Sequence, residues 1–166
     1  MVDEQFNKDP LSHQHFLTFL LRDECFGISI SSVKEIIEYD NVTPIPLMPD
    51  FVKGVLNLRG DVVPVIDLSI RFNKSATEIS KRTCIVILEI LFEEQIVTIG
   101  AVVDSVSEVI EINMDNIEPA PTFGAKIRAQ FILGVANVGE QFVILLRGER
   151  VLSLDEMAAI IEKVAD

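Results

Sequence analysis

The sequence predicts an all-β fold followed by a C-terminal α-helix, and three observations indicate it. Short runs of β-branched and aliphatic residues recur along the 166 residues, and such runs are typical of strands. Glycine, proline, asparagine and aspartate separate the runs, as turns between strands require. The second half of the chain repeats the pattern of the first, which indicates two similar lobes of about five short strands each.

The stretch 44–68, PIPLMPDFVKGVLNLRGDVVPVIDL, organises the first lobe. Its prolines exclude a helix and break any central strand at its start. Asn57 and Gly60 indicate a tight reversal, and the β-branched run Val62–Leu68 predicts a strand that is covered on both faces. Arg59 lies at the tip of the reversal, where a charged side chain cannot fill the core. We therefore predict that Arg59 is a recognition residue.

The other elements follow from local patterns. Residues 1–14 are polar and predict a flexible leader that contains His13. Further strands are predicted at 16–21, 26–30, 33–39, 83–91, 96–103 and 141–146, with a polar linker at 73–82 and a candidate helical turn at 126–135. Ser153 and Glu156 form a capping box, and an apolar stripe follows, so a helix is predicted over 153–164.

An ordered series of matches carries the internal repeat. FGISISSVKEIIE, which starts at Phe26, resembles IGAVVDSVSEVIE, which starts at Ile99, and the shared residues lie 73 positions apart. GVLN at Gly54 is similarly matched by GVAN at Gly134. Features that both lobes share are expected to be structural, whereas features of one lobe are freer to be functional.

The same comparison separates two candidate site residues. Arg59 aligns with Gly139, so the fold does not require an arginine at this turn. Glu35 aligns with Glu108, so a structural and a functional role for Glu35 both remain open.

The composition excludes several classes of function. Fourteen Lys and Arg stand against twenty-six Asp and Glu, a net charge of −12, which disfavours binding to nucleic acid or anionic lipid. No apolar run is long enough for a membrane span, and residues 1–10 do not resemble a signal peptide, so we expect a cytosolic protein. Cys25 and Cys84 are expected to be free thiols.

The sequence lacks the residue patterns that most enzymes use for catalysis. The two histidines, His13 and His15, fall at the end of the predicted leader and directly after it, and two ligands are too few for a metal site. The chain has neither a phosphate-binding loop nor a nucleophile elbow. We predict a binding module without enzymatic activity, cofactor or metal. An enzyme or small-ligand binder with a polar pocket between the lobes is the alternative.

Four motifs, VKEIIEY, PDFVKGVLNLRGDVVPVIDL, GAVVDSVSEVI and IEPAP, resemble in this order the CheW coupling proteins of bacterial chemotaxis, over about Phe16 to Ile161. The resemblance implies two five-stranded SH3-like β-barrels in one CheW-like domain over residues 15–161. Barrel one would span 16–72 and barrel two 83–150. It also implies a standalone, non-enzymatic cytoplasmic scaffold.

By this resemblance, the scaffold couples the cytoplasmic tip of methyl-accepting chemoreceptors to the regulatory domain of the histidine kinase CheA and supports receptor–kinase arrays. The kinase-contacting surfaces lie at the barrel ends and are not assigned to residues. An adaptor of a non-flagellar pathway, such as pili motility or second-messenger control, is the alternative.

The resemblance also implies that a groove between the barrels holds the receptor tip. The matching motif positions are Val33, Glu35, Ile36, Asn57, Arg59, Gly100 and Val102. We further predict that Arg59 pairs with Glu35, because a lone arginine on a turn lies near an acidic residue on a neighbouring apolar segment.

Overall fold

The computed structural model describes residues 13–72, 75–119 and 131–150, and these residues form ten strands and one short α-helix. The strands are β1 (His13–Leu21), β2 (Glu24–Ser29), β3 (Val33–Glu38), β4 (Val52–Leu58), β5 (Asp61–Asp67), β6 (Cys84–Phe92), β7 (Gln95–Val103), β8 (Ser105–Asn113), β9 (Ile132–Val138) and β10 (Gln141–Leu146). Helix α1 (Leu68–Arg71) follows β5, and 3₁₀ turns occur at Ile30–Ser32, Met114–Asn116 and Gly148–Arg150. The predicted all-β class is confirmed, and the predicted helix at 153–164 lies outside the described residues.

The ten strands form two five-stranded sheets. Sheet A has the order β8-β1-β2-β10-β9, and sheet B has the order β3-β6-β7-β5-β4. Within the described residues no ladder joins the two edge strands of either sheet, so the sheets are open and not closed barrels. The prediction of two five-stranded units is confirmed in this open form.

The two halves of the chain exchange strands. Sheet A combines β1 and β2 with three strands of the second half, and sheet B combines β6 and β7 with three strands of the first half. The two sheets therefore do not coincide with the predicted division into 16–72 and 83–150. The physical reason is the short connection between β7 and β8. Because β7 ends at Val103 and β8 begins at Ser105, the chain has no room for a hairpin and crosses to the other sheet.

The exchange follows the internal repeat. When each strand is replaced by its counterpart in the other half (β1 by β6, β8 by β3, and so on), the order of sheet A becomes the order of sheet B. The repeated glycines lie at equivalent close contacts. A Cβ atom added to Gly54 would lie 2.6 Å from the carbonyl carbon of Thr43, and one added to Gly134 would lie 2.9 Å from the carbonyl oxygen of Glu118. Both glycines are thus structural, as the repeat predicted.

Two sheet cores flank one shared core. Along β5, Val65 packs into the core of sheet B and Ile66 into the shared core, while Leu145 of β10 packs into the core of sheet A. Both faces of β5 are therefore buried, as predicted. Pro64 is tolerated because the ladder between β5 and β7 begins only at Val65, so no bond to β7 needs an amide hydrogen at position 64.

Aromatic rings join the sheets across the shared core. The centroid of Phe72 lies 5.8 Å from that of Phe26 and 5.8 Å from that of Phe131. The Arg71 guanidinium lies 5.2 Å from the ring centroid of Phe51 and 4.6 Å from that of Phe131. Phe51 and Phe131 are equivalent in the repeat, so α1 presents one cation to matching rings of both halves.

Two local predictions are corrected. Strand β1 begins at His13, so His13 and His15 belong to the sheet and not to a loose leader, because Glu111 of β8 pairs with this end of β1. The ring nitrogens of His13 and His15 lie 3.2 and 3.5 Å from the Glu111 carboxylate. The candidate helical turn at 126–135 is wrong over its last residues, since Ile132 onward pairs with β10.

Candidate functional site

The turn that carries Arg59 has a defined geometry. Arg59 and Gly60 join β4 to β5, and their φ angles are 50° and 93°. Positive φ at both central residues is the pattern of a type I′ turn, whose twist matches that of a hairpin. The side-chain oxygen of Asn57 accepts a hydrogen bond from the Gly60 amide at 2.8 Å. Asn57 therefore holds the turn on which Arg59 is presented.

Arg59 pairs with Glu35 of β3 through both terminal nitrogens. Nη1 donates to Oε1 at 3.3 Å, and Nη2 donates to Oε2. The Arg59 side chain is 66% exposed, and the Glu35 side chain is 25% exposed. The hydrogen bond from Arg59 holds the pKa of Glu35 below its usual range, and Glu35 in turn raises the pKa of Arg59. The predicted pairing of these two side chains is present, in the bidentate form that fixes a guanidinium most firmly.

Apolar side chains are also exposed on strands β3 and β5. Ile36 is 41% exposed on the edge strand β3, and Val62 is 53% exposed on β5. Val33, by contrast, is partly buried and packs against the shared core. Five of the seven predicted site residues therefore reach the surface in this region in whole or in part: Val33, Glu35, Ile36, Asn57 and Arg59.

Gly100 and Val102 lie elsewhere. Val102 has 0% exposed surface and packs in the core of sheet B. Gly100 is buried between Val65 and Ile87, its partners on the two neighbouring strands. A partner cannot contact either residue directly, so both have a packing role. The uninterrupted apolar end of β7 is a sequence signal for burial on both faces, and it could have indicated this.

A groove lies between β5 and β7 because their parallel ladder is short. The ladder begins at Val65 and Gly100, and the residues before it diverge. We name this groove B; it has a volume of about 320 Å³ and is lined by Lys34, Leu58, Asp61, Val62, Val63, Pro64, Gln95, Ile96, Val97 and Thr98.

An equivalent groove in sheet A was not predicted. The parallel ladder between β2 and β10 begins at Phe26 and Ile144, and the residues before it diverge in the same way. This groove A has a volume of about 450 Å³ and is lined by Asp23, Glu24, Cys25, Glu118, Val135, Gln141, Phe142 and Ile144. The repeat was the available signal, since Phe142 aligns with Val62 of groove B.

The thiols are not activated. Burial, and then the charge of Glu108, raises the pKa of Cys25, and burial is also the main cause that raises the pKa of Cys84. Both side chains are therefore protonated at neutral pH and are poor nucleophiles. Among the residues that the structure describes, no group of three or more His, Cys, Asp or Glu is arranged to hold a metal ion.

Comparisons with known proteins agree with one another. A family model described as a CheW-like domain matches residues 15–156. The chemotaxis protein CheW of Klebsiella aerogenes is 41% identical over 147 residues, which cover 89% of this chain and 86% of that protein. The chemotaxis protein CheW of Treponema pallidum is 29% identical over 155 residues, which cover 93% and 86%.

A solved structure gives the same result. The scaffolding protein TtCheW of Thermoanaerobacter tengcongensis matches with a TM-score of 0.77 and 33% identity, over 90% of this chain and 94% of that chain. None of the helices in the described part of the chain has the length and hydropathy of a membrane span. From the two-sheet fold, the family match and these relatives, we conclude that the chain belongs to the CheW family of non-enzymatic chemotaxis adaptors.

Proposed function

We propose that this adaptor acts in the cytoplasm, where it couples the tip of methyl-accepting chemoreceptors to the regulatory domain of the histidine kinase CheA and supports array assembly and control of the kinase. The observation that carries the receptor part is the bidentate Arg59–Glu35 pair, together with the exposed Ile36 on the same edge strand as Glu35. Membership of the CheW family supports a chemoreceptor and a histidine kinase as the two partners of this protein.

The receptor surface that we propose consists of Val33, Glu35, Ile36, Asn57 and Arg59. A receptor tip is a helical hairpin, and a helix docks by placing its apolar stripe on an exposed apolar surface. Ile36 provides such surface at one edge of sheet B. Gly100 and Val102 support this surface only from the core.

Arg59 is suited to fix the orientation of the receptor. Its guanidinium carries five N–H donors, and the fork toward Glu35 leaves others directed away from the pair. The hydrogen bond that Asn57 accepts from the Gly60 amide fixes the turn, and the ion pair restricts the Arg59 side chain before binding. Pre-ordering of this kind lowers the entropy cost of association.

The test is a co-sedimentation assay with a receptor signalling fragment and CheA, with kinase activity as the readout. The wild-type protein should recruit CheA to the receptor fragment and alter its activity. Arg59→Ala and Glu35→Ala should each weaken receptor binding about tenfold, with an unchanged melting temperature. Arg147→Ala is the matched control, because Arg147 is an exposed arginine outside the proposed surface.

Two results would contradict the proposal. If the wild-type protein recruits no kinase, the coupling function is wrong. If Arg59→Ala lowers the melting temperature strongly and leaves receptor binding intact, the ion pair is a structural feature and not a binding one.

A further inference from the structure

The Arg59–Glu35 pair of sheet B has only half of a counterpart in sheet A. Glu108 on the edge strand β8 repeats Glu35 on the edge strand β3. Gly139, however, stands at the turn position that Arg59 has in the first half of the chain. Among the residues that the structure describes, no lysine, arginine or histidine forms an ion pair with the Glu108 carboxylate. The second half therefore keeps the hydrogen-bond acceptor and omits the donor.

A cavity of about 240 Å³ lies between Glu108 and this turn. Its lining includes Glu108 together with Val138 and Gln141, the pair that closes the hairpin β9–β10. In sheet B the Arg59–Glu35 pair joins the two equivalent places, an edge strand and a hairpin turn. The cavity is thus the space that this ion pair spans in the other sheet.

The structure holds Glu108 in position beside the cavity. The hydroxyl of the buried Thr18 donates a hydrogen bond to the Glu108 carbonyl at 2.8 Å and accepts one from the Glu108 amide at 3.1 Å. Both bonds occur where the ladder between β1 and β8 shifts its register, so they pair backbone groups that the ladder leaves out. Burial, and then the charge of Glu108, raises the pKa of Cys25, which lines the same cavity. The carboxylate is therefore a fixed acceptor close to the cavity wall.

Apolar side chains around Glu108 suit the stem of an arginine and the chain that carries it. Leu20 and Ile110 line the cavity and are half-buried, so they offer apolar surface to the methylene groups of a long basic side chain. Val109, next to Glu108, is 49% exposed, and Val138 is 38% exposed. A protein segment can cover these two valines, whereas a small free cation cannot.

We propose that this cavity binds an arginine side chain of a partner protein, which pairs with Glu108 as Arg59 pairs with Glu35. The site lies on sheet A, whereas the proposed receptor surface lies on sheet B. A guanidinium can donate two parallel hydrogen bonds to a carboxylate, so arginine is preferred to lysine. Another copy of this chain, with a net charge of −12, is repelled as a whole.

The first test measures binding of N-acetyl-arginine amide to the full-length protein, with NMR chemical shifts as the readout at low salt. The probe should shift the signals of Glu108 and Val138. N-acetyl-citrulline amide has a similar shape and no charge, and it should bind about fivefold more weakly or worse. Glu108→Gln should weaken binding of the arginine probe by the same factor with an unchanged melting temperature. Glu89→Gln is the control at an exposed glutamate of sheet B and should leave binding within about twofold.

A second variant supplies the arginine within the chain. Gly139→Arg places a guanidinium on the turn, and the φ of 65° at position 139 is close to the 50° that Arg59 adopts. The new side chain should occupy the cavity and abolish binding of the arginine probe. Gly139→Gln puts a long uncharged side chain at the same position and should leave binding within about twofold.

A longer probe tests whether the arginine belongs to a protein. A blocked tripeptide with valine on both sides of the arginine should bind about threefold more tightly or better, because its valines cover the exposed Val109 and Val138. Equal affinities for the tripeptide and for N-acetyl-arginine amide would assign the cavity to a small guanidinium compound and overturn the proposal.

Other results would also overturn it. Equal binding of the citrulline probe, unchanged binding in Glu108→Gln or persistent binding in Gly139→Arg would show that no guanidinium pairs with Glu108. A strong fall in melting temperature in Glu108→Gln would make Glu108 a structural residue. Self-association of the wild-type protein that Glu108→Gln abolishes would identify a second copy of the chain as the occupant.

Discussion

The hairpins β4–β5 and β9–β10 have the same place in the repeat but different chemistry. The first turn carries Arg59, held by Glu35, whereas the second carries Gly139, with a φ of 65° and no neighbouring atom within 4 Å of an added Cβ. Glu108, the counterpart of Glu35, therefore has no arginine on the equivalent turn. The comparison shows that the fold is satisfied by a bare turn, so the ion pair is an addition of the first lobe.

The C-terminal ends of β5 and β10 also have the same place in the repeat but different chemistry. Asp67 is fully buried, and its carboxylate accepts hydrogen bonds from the Ser69 amide at 2.9 Å and from the amide and hydroxyl of Thr77 at 3.0 Å each. At the equivalent position Arg147 is exposed. Both amides nevertheless donate to equivalent carbonyls, those of Phe51 and Phe131. Asp67 thus holds the segment after α1 in place by accepting hydrogen bonds from it.

The largest effect is expected at a feature that both lobes share. Gly54→Ala should lower the free energy of unfolding by about 3 kcal/mol or more, because the new Cβ would overlap the carbonyl of Thr43. Urea denaturation measures this. Gly60→Ala is the control, since its Cβ would meet no atom within 4 Å, and backbone strain alone should cost about 1 kcal/mol. Equal losses at the two positions would contradict the assignment of Gly54 to packing.

Asp67 should come next. Asp67→Ala should lower the free energy of unfolding by about 2–4 kcal/mol, because the amides of Ser69 and Thr77 lose their buried acceptor. Arg147→Ala should cost less than about 0.5 kcal/mol, as is usual for an exposed side chain. Thermal and urea unfolding compare the two variants. If Arg147→Ala lowers the free energy of unfolding as much as Asp67→Ala does, the proposed difference between the two strand ends is contradicted.

An exchange of the turn residues should alter binding more than folding. Arg59→Gly should weaken receptor binding about tenfold, and the addition of Gly139→Arg should not restore it, because the second turn is not the proposed receptor surface. Both variants should keep a nearly unchanged melting temperature. Recovery of binding in the double variant would mean that the position of the arginine in the molecule is unimportant.

The smallest effect concerns pH. Arg59 lowers the pKa of Glu35 in the folded protein. The ion pair is therefore fully formed above pH 4.5, the ordinary pKa of a glutamate, and it is lost as the pH falls through the lower pKa of folded Glu35. An NMR titration of the Glu35 carboxyl group should show its pKa rising in Arg59→Ala. An unchanged titration in that variant would exclude Arg59 as the cause.

Local patterns in the sequence were sufficient for several elements. The alternation and β-branching at 141–146 predicted β10 with its observed bounds, and Asn57 with Gly60 predicted the turn. The position of Arg59 relative to Glu35 was also predictable, because both residues stand out as charges in apolar surroundings. In these cases the residues that determine the structure are close together in the sequence, or differ between the lobes.

Other features depend on contacts between distant residues. Periodicity indicates that β2 is a strand but not that it pairs with β10, whose partner residues lie more than a hundred positions away, so the strand exchange was missed. Groove A was missed for the same reason, because its lining comes from four separate segments. Gly100 and Val102 were misplaced because a motif position does not distinguish surface from core.

The exchange of strands between the halves has a consequence for synthesis on the ribosome. Sheet A begins with the first hairpin to be made and is completed by the last one, so β1 and β2 must wait for nearly the whole chain before their partners exist. Sequence-distant pairing of this kind slows folding and leaves strand edges open meanwhile. A gene cut at the midpoint of the duplication would consequently yield two fragments that each lack part of both sheets, and not two small domains.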